Sequence, residues 1–268
     1  MNRPTLSHIY EGEVRDRATS SENLSTRLEL NRRYQSADFH SWLQRRLNVS
    51  RGEHILDVGC GTGAQSLRFL DSIGSHGSIS ALDISSSSIE ELSRSANFDH
   101  RLQAIAADMA ALDDVINSRF KQKLYTLAHS SYALYYSPTR LNVLQRMAES
   151  LLSHGRLAVF TPTTPHGMVE IASRFSAIPE PVIESLEFGH SVLEPRFRSL
   201  FWEVEIHFFQ SEMRVTSLDD FMGFYQATTY FQADAAPEIR KYADSEIGAK
   251  GSVNYSKNGY LIIGRDRK

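Results

Sequence analysis

The sequence has almost no cysteine: Cys60 is the only one in 268 residues. That excludes an intramolecular disulfide and any cysteine-rich metal cluster, and it suits a reducing compartment. Long apolar runs are missing as well. Nowhere do about eighteen apolar residues follow one another, so no membrane-spanning helix and no membrane partner are expected. The opening stretch MNRPTLSHIYEGEVRDRATSSEN lacks the apolar core of a secretion signal, and the expected location is cytoplasmic. Nor is there an excess of one charge. With 29 basic and 32 acidic residues the formal charge is −3, which offers no field to attract a phosphate backbone and argues against a nucleic acid partner. What remains is ordinary: 41% hydrophobic and 10% aromatic residues, enough for one large domain or one domain with a cap.

The pattern along the chain is an alternation. After a polar start to about residue 22, the run from Asn23 to Leu47 spaces Leu24, Leu28, Tyr34, Phe39, Trp42 and Leu43 as two helices broken near Ser36. Apolar runs at 53–59, 78–83, 102–107, 124–129 and 156–161 then read as strands, separated by helical patterns at 64–73, 85–96 and 140–152. Such alternation calls for a parallel doubly wound sheet. Beyond Pro162 it weakens. Residues 166–178 read as helical, 179–198 as irregular, 202–209 as a strand with one wet face, 217–231 and 237–250 as helices, and 259–264 as the last strand. The expected fold is α/β, a Rossmann-like seven-stranded, mostly parallel sheet with a helical cap. Its parts are an N-terminal helical preface over 1–50, a cofactor-binding core over 51–161, and a C-terminal part over 162–268 with the cap helices and the last two strands.

The chemistry sits in Asp57-Val58-Gly59-Cys60-Gly61-Thr62-Gly63-Ala64, between a strand and a helix. Glycines permit a tight turn and let a ligand lie against the backbone, while the helix start offers free N–H groups. Taken alone this turn is ambiguous, because Gly59, Gly61 and Ala64 also satisfy the G-x-G-x-x-A dinucleotide pattern. Placement narrows the choice. Asp57, Asp83 and Asp108 recur at the carboxyl ends of the first three predicted strands, one strand plus one helix apart, so all three are expected on the sheet edge where ligands bind in such folds. A carboxylate after the second strand, here Asp83, can accept both hydroxyls of a ribose.

E-x-x-L-D-V-G-C-G-T-G resembles the first signature of class I S-adenosylmethionine-dependent methyltransferases, and the resemblance extends over about residues 53–161. It implies S-adenosyl-L-methionine as cofactor, with Asp57 organising the turn and the amino-acid end. Gly59 and Gly61 would face the methionine portion, with Cys60 filling a small space between them. Asp83 would hold the ribose, Ile84 pack on the adenine, and Asp108-Met109 take the adenine edge. The alternatives are a nicotinamide-dependent oxidoreductase, which shares Asp83 but needs neither Asp57 nor Asp108, and a non-catalytic cofactor-binding subunit.

The resemblance places the acceptor side after the fourth strand, in His129-Ser130-Ser131-Tyr132-Ala133-Leu134-Tyr135-Tyr136. His129 and Tyr132 are the catalytic candidates, as base or acceptor contact, against the plainer reading of a strand-end hydrogen bond and packed rings. Tyr34, Arg32 and Arg33 are candidates to reach over the cofactor carboxylate. His166, His190, Arg196, Arg198 and Arg214 are candidates to bind an anionic acceptor, or else ordinary surface. No metal site is expected. The expected activity is methyl transfer to an oxygen or nitrogen of a small metabolite, from a pocket between cap and sheet edge, by a monomer or homodimer.

Overall fold

A computed structural model describes residues 13–268, with side chains from Asp16 onward. Of the polar N-terminal stretch, residues 1–12 lie outside the described residues. The strands are β1 (His54–Val58), β2 (Ser78–Asp83), β3 (Leu102–Ala106), β4 (Tyr125–Ser131), β5 (Leu151–His166), β6 (Phe201–Phe209), β7 (Glu212–Val215) and β8 (Val253–Arg267). They pair in the order β3-β2-β1-β4-β5-β8-β6, with β7 against β8. The sheet therefore has eight strands. The pairs from β3 to β5 are all parallel.

The chain divides into two compact units whose boundaries differ from the three consecutive segments expected from sequence. The sheet unit takes residues 39–161, 188–207 and 260–268. The second unit takes, among the described residues, 13–38, 162–187 and 208–259, so the first helices belong with late sequence.

In the sheet unit, β1 is buried from Ile55 to Val58, because parallel strands are covered on both faces and demand apolar side chains throughout. The core joins Leu56, Val58, Leu82, Ile105, Tyr125 and Leu157 to Leu144 and Met147 of the helix Arg140–Glu149 and to Phe197, Phe201 and Ile262. At the amino end of β1, Glu53 accepts from Arg156 at 3.0 and 3.1 Å and from the Ser50 backbone at 3.0 Å. This pairing satisfies a carboxylate that is almost fully buried.

The second unit packs Leu30, Met168, Met213, Phe221, Phe224, Tyr225, Ile239 and Tyr255 into its own core. Its β7 pairs antiparallel with the start of β8, Met213 opposite Tyr255 and Arg214 opposite Asn254. Gln35 bridges to Met213 on the other side.

Several expectations for the C-terminal half need correction. Residues 179–198 are helical, as Glu180–Phe188, a π turn at Gly189–Leu193 and Glu194–Leu200. The expected helix over 166–178 is shorter, since β5 runs through His166 and only Gly167–Ala172 is helix. The last strand begins at Val253 instead of 259. Among the described residues no helix is long and apolar enough to cross a membrane.

Candidate functional site

β1 lies between β2 and β4, so the strand order reverses beside it, which is where parallel α/β sheets open a crevice at their carboxyl ends. Asp57 pairs in register with Ala81 and His129, and Asp83 with Ala106, which puts the ends of β1 to β4 on one rim. The turn after β1 is held from below: the N–H groups of Gly59 and Cys60 both donate to the Leu82 carbonyl, at 2.7 and 3.0 Å. Gly59 and Gly63 have φ of +75° and +84°. A Cβ at these positions would stand 2.2 Å from Ala133 Cβ and 2.1 Å from Leu92 Cδ1 respectively, so both the backbone conformation and the packing require glycine.

Asp83 closes this turn. Its Oδ2 accepts from the Gly61 N–H at 2.8 Å and its Oδ1 from the Ser85 N–H at 2.9 Å. Burial pushes its carboxyl upward, while those two backbone donors and that of Ile84 hold it down. Each oxygen keeps acceptor capacity after its one bond, and further hydroxyl donors would relieve the desolvation. Ile84, next in the chain, is 39% exposed, an unusual display of a large aliphatic side chain. After β3, Asp108 caps a short turn through Oδ1 to the Ala110 N–H at 2.9 Å, with half-buried Met109 beside it. A diol acceptor, an exposed aliphatic face and an acid after the third strand fit the sugar, ring and amine edge of an adenosine.

Asp57 is 2% exposed and faces inward. Ser66 donates to its Oδ2 at 2.5 Å, and His129 Nδ1 lies 2.9 Å from its Oδ1. His129 Nε2 lies 2.7 Å from Ser131 Oγ, and the ring stands edge-on to Phe69 at 5.3 Å. A continuous chain thus runs Ser66, Asp57, His129, Ser131, buried as far as His129 and half-buried at Ser131. Both histidine nitrogens are engaged within it.

Tyr132 follows with φ of +55°, an uncommon conformation for an aromatic residue that costs on the order of 1–2 kcal/mol. Its N–H donates to the Phe160 carbonyl at 3.0 Å, and its ring packs against Phe39 and Phe160 at 5.4 and 4.9 Å. Burial raises its phenol well above the usual range, so it is a hydroxyl donor at neutral pH. Cys60 is no nucleophile: burial, then the charges of Asp57 and Asp83, push its thiol up.

The rim therefore gathers Asp57, Gly59, Cys60, Gly61, Asp83, Ile84, Asp108, Met109, His129 and Tyr132 within one unit. Ser66 and Phe39 were not expected there, and Ser131 was placed only within the acceptor-side segment; Phe39 reaches Tyr132 and Phe160 across long sequence separations, while Ser66 and Ser131 are revealed by their bonds to Asp57 and His129. Other candidates are taken up elsewhere. Within the second unit, Arg33 and Tyr34 both bind Asp220, at 2.7 and 2.5 Å. His190 and Arg198 pair with Glu194, Arg196 donates to Gln145, and Arg214 is exposed.

Residues 55–155 match a family described as a methyltransferase domain. Among curated proteins, the chain is 29% identical over 152 residues to the aklanonic acid methyltransferase DauC of Streptomyces sp. (strain C5), spanning 55% of this chain and 67% of that one. It is 32% identical over 116 residues to the O-methyltransferase resE of Aspergillus sclerotiorum, spanning 42% and 41%. A crystal structure from Bacillus halodurans C-125 superposes with a TM-score of 0.60 at 12% identity, covering 87% of this chain and all of that one, a likeness that bears on the fold alone.

Proposed function

We propose, on the premise that the chain belongs to the class I S-adenosylmethionine-dependent methyltransferases, that it transfers the cofactor's methyl group to an oxygen or nitrogen of a small metabolite. The observation that carries this reading is the rim of acids at successive strand ends, Asp57, Asp83 and Asp108, around one glycine turn. Both curated relatives are named as methyltransferases, one for an acid and one as an O-methyltransferase, which favours oxygen.

When bound, S-adenosylmethionine supplies an electrophilic methyl group, and fixing an in-line approach can account for most of the rate. Asp83 would accept from the ribose hydroxyls, Ile84 would cover the adenine, and Asp108 would accept from its amine. Asp57 is a positioning residue. Its carboxylate holds Ser66 on the helix after the turn and His129 on β4, which fixes the distance between the cofactor strand and the acceptor strand.

His129 acts through Ser131 in this reading, orienting the hydroxyl 2.7 Å from its Nε2, while Tyr132 offers a protonated phenol to the acceptor side. The acceptor is a small molecule and not a nucleic acid, in keeping with a formal charge of −3.

The test is thermal unfolding with S-adenosylhomocysteine or NADH, followed by incubation of the protein with methyl-labelled cofactor and a small-metabolite extract. S-adenosylhomocysteine at a hundredfold over its Kd should stabilise by about 2.7 kcal/mol, and label should pass to an extractable metabolite. Stabilisation by NADH alone would identify an oxidoreductase. Cofactor binding with no transfer would identify a non-catalytic subunit.

A further inference from the structure

The second unit contains a group of polar side chains that its own fold leaves unsatisfied. On the helix Ser21–Tyr34 and its C-cap, Arg27, Asn31 and Gln35 recur every four residues and so share one face. Asn31 Oδ1 and Gln35 Nε2 are buried and have no hydrogen-bond partner among the described residues. Gln35 bridges to Met213, and Met213 stands opposite Tyr255, so the three side chains line up across one face of the β7–β8 ladder.

Tyr255 is 5% exposed, and its hydroxyl also has no partner among the described residues. Two positions on, Lys257 lies on the same face, its backbone N–H donating to the Ser211 carbonyl at 2.8 Å. Its ammonium stands 5.6 Å from the centre of the Phe224 ring. His166 enters from the end of β5, where Asn258 and Ser256 donate to the neighbouring Pro165 carbonyl at 3.0 and 3.4 Å. Its Nδ1 is buried and likewise without a partner among the described residues.

We propose that Lys257, Tyr255, Gln35, Asn31 and His166 form a binding site for a hydroxylated aromatic carboxylate, an inference that does not depend on the methyl-transfer reading.

Chemistry selects an anion. Lys257, Gln35 and Tyr255 present donors, and no carboxylate pairs with Lys257 among the described residues. The charged neighbour that acts on it is Arg27, another cation. Burial, then Arg27, brings the Lys257 ammonium down to about 7, and burial, then Lys257, brings His166 down to about 4. Burial is the larger cause of both shifts, and in each the charged neighbour is a cation; a ligand carboxylate would supply the missing counter-charge. A carboxylate also has acceptor positions enough for all these donors.

Asn31 Oδ1 is the acceptor in the group, and a ligand hydroxyl would satisfy it. The neighbouring side chains are aromatic: Tyr255 lies 6.3 Å from both Phe221 and Phe224, ring to ring. Flat apolar skeletons suit such neighbours.

The probes are 3-hydroxy-2-naphthoate and its uncharged amide, titrated by fluorescence against the whole protein saturated with S-adenosylhomocysteine, whose own Kd is measured first on every variant. The expected result is that the acid binds at least tenfold more tightly than the amide. Lys257→Met should abolish that ratio, and Tyr255→Phe should weaken the acid at least threefold, with S-adenosylhomocysteine affinity unchanged in both. Equal binding of acid and amide, binding of neither, or a ratio that survives Lys257→Met overturns the proposal, and would mean that internal water satisfies these groups. Failure of S-adenosylhomocysteine to bind the unaltered protein would instead overturn the methyltransferase reading.

Discussion

Asp57 in the sheet unit and Tyr255 in the second unit are both nearly inaccessible, at 2% and 5% exposure, and both carry an oxygen that burial penalises unless it is hydrogen-bonded. Asp57 has a partner on each oxygen, and one of them, His129, passes the network on to Ser131. Tyr255 has no partner for its hydroxyl, and neither do the buried amide atoms of Asn31 and Gln35 or the Nδ1 of His166 among the described residues.

Leaving such an atom unsatisfied costs about 1–3 kcal/mol. The Asp57 network of the sheet unit is therefore paired before any ligand arrives, and its polar groups shape a turn and position strands. Ser130 Oγ beside it is buried without a partner among the described residues, and Asp83 keeps acceptor capacity. The second unit holds groups in an unfavourable state that a ligand would relieve. One network preorganises, and the other keeps binding capacity.

Three changes test this contrast, from the largest effect to the smallest. His129→Ala leaves the buried Asp57 carboxylate short of a partner, and we expect a loss of about 3 kcal/mol in chemical denaturation. A loss under about 1 kcal/mol would mean that the rim network is not what fixes β1 to β4.

The second concerns pH. Lys257 has a folded-state pKa of about 7 against 10.5 for the ordinary side chain, so between these values the unfolded chain binds more protons than the folded one. Its contribution must therefore make stability rise as pH increases through that window, with a slope of at most about 1.4 kcal/mol per pH unit. Lys257→Met should flatten the difference in denaturation midpoints across the same range. A slope unchanged in the variant would mean that Lys257 is not held in the desolvated state described.

The smallest effect is expected for Tyr255→Phe, which removes a hydroxyl without a partner among the described residues. Losing the cost of an unsatisfied group should raise stability, by about 1 kcal/mol. A loss of about 2 kcal/mol or more would show that the hydroxyl is already satisfied and would erase the contrast.

The sheet unit was the more legible half from sequence, for a physical reason. Strands covered on both faces read as apolar runs, as at 54–58 and 78–83, and their ends are marked by glycines or by caps such as Ser85, whose hydroxyl accepts from the Ser88 N–H. Asp57 and Asp83 stand at the carboxyl ends of those runs and Asp108 just beyond the third strand, so their common edge could be read from spacing. Its support could not: Ser66 and Ser131 look like ordinary polar residues until folding brings them to Asp57 and His129.

The C-terminal half misled in two places. Residues 179–198 read as irregular, yet Pro181 and Pro195 both sit in the first turn of a helix, where proline is tolerated. The first half of β8, VNYSKN, has its apolar alternation interrupted by Lys257 and Asn258, so the strand was visible only from 259 onward. The second unit's polar group draws on residues from 31 to 257, and no local pattern joins them.

The central claim is that Asp83 and its neighbours on the rim hold an adenosine. Calorimetric titration of S-adenosylhomocysteine into the unaltered protein and into Asp83→Ala tests it most directly, since a carboxylate accepting two hydroxyls is worth roughly 1.5–3 kcal/mol per charge-assisted bond. Clear binding to the first and an affinity at least tenfold weaker in the second are expected. Equal affinity in the two proteins would contradict the claim.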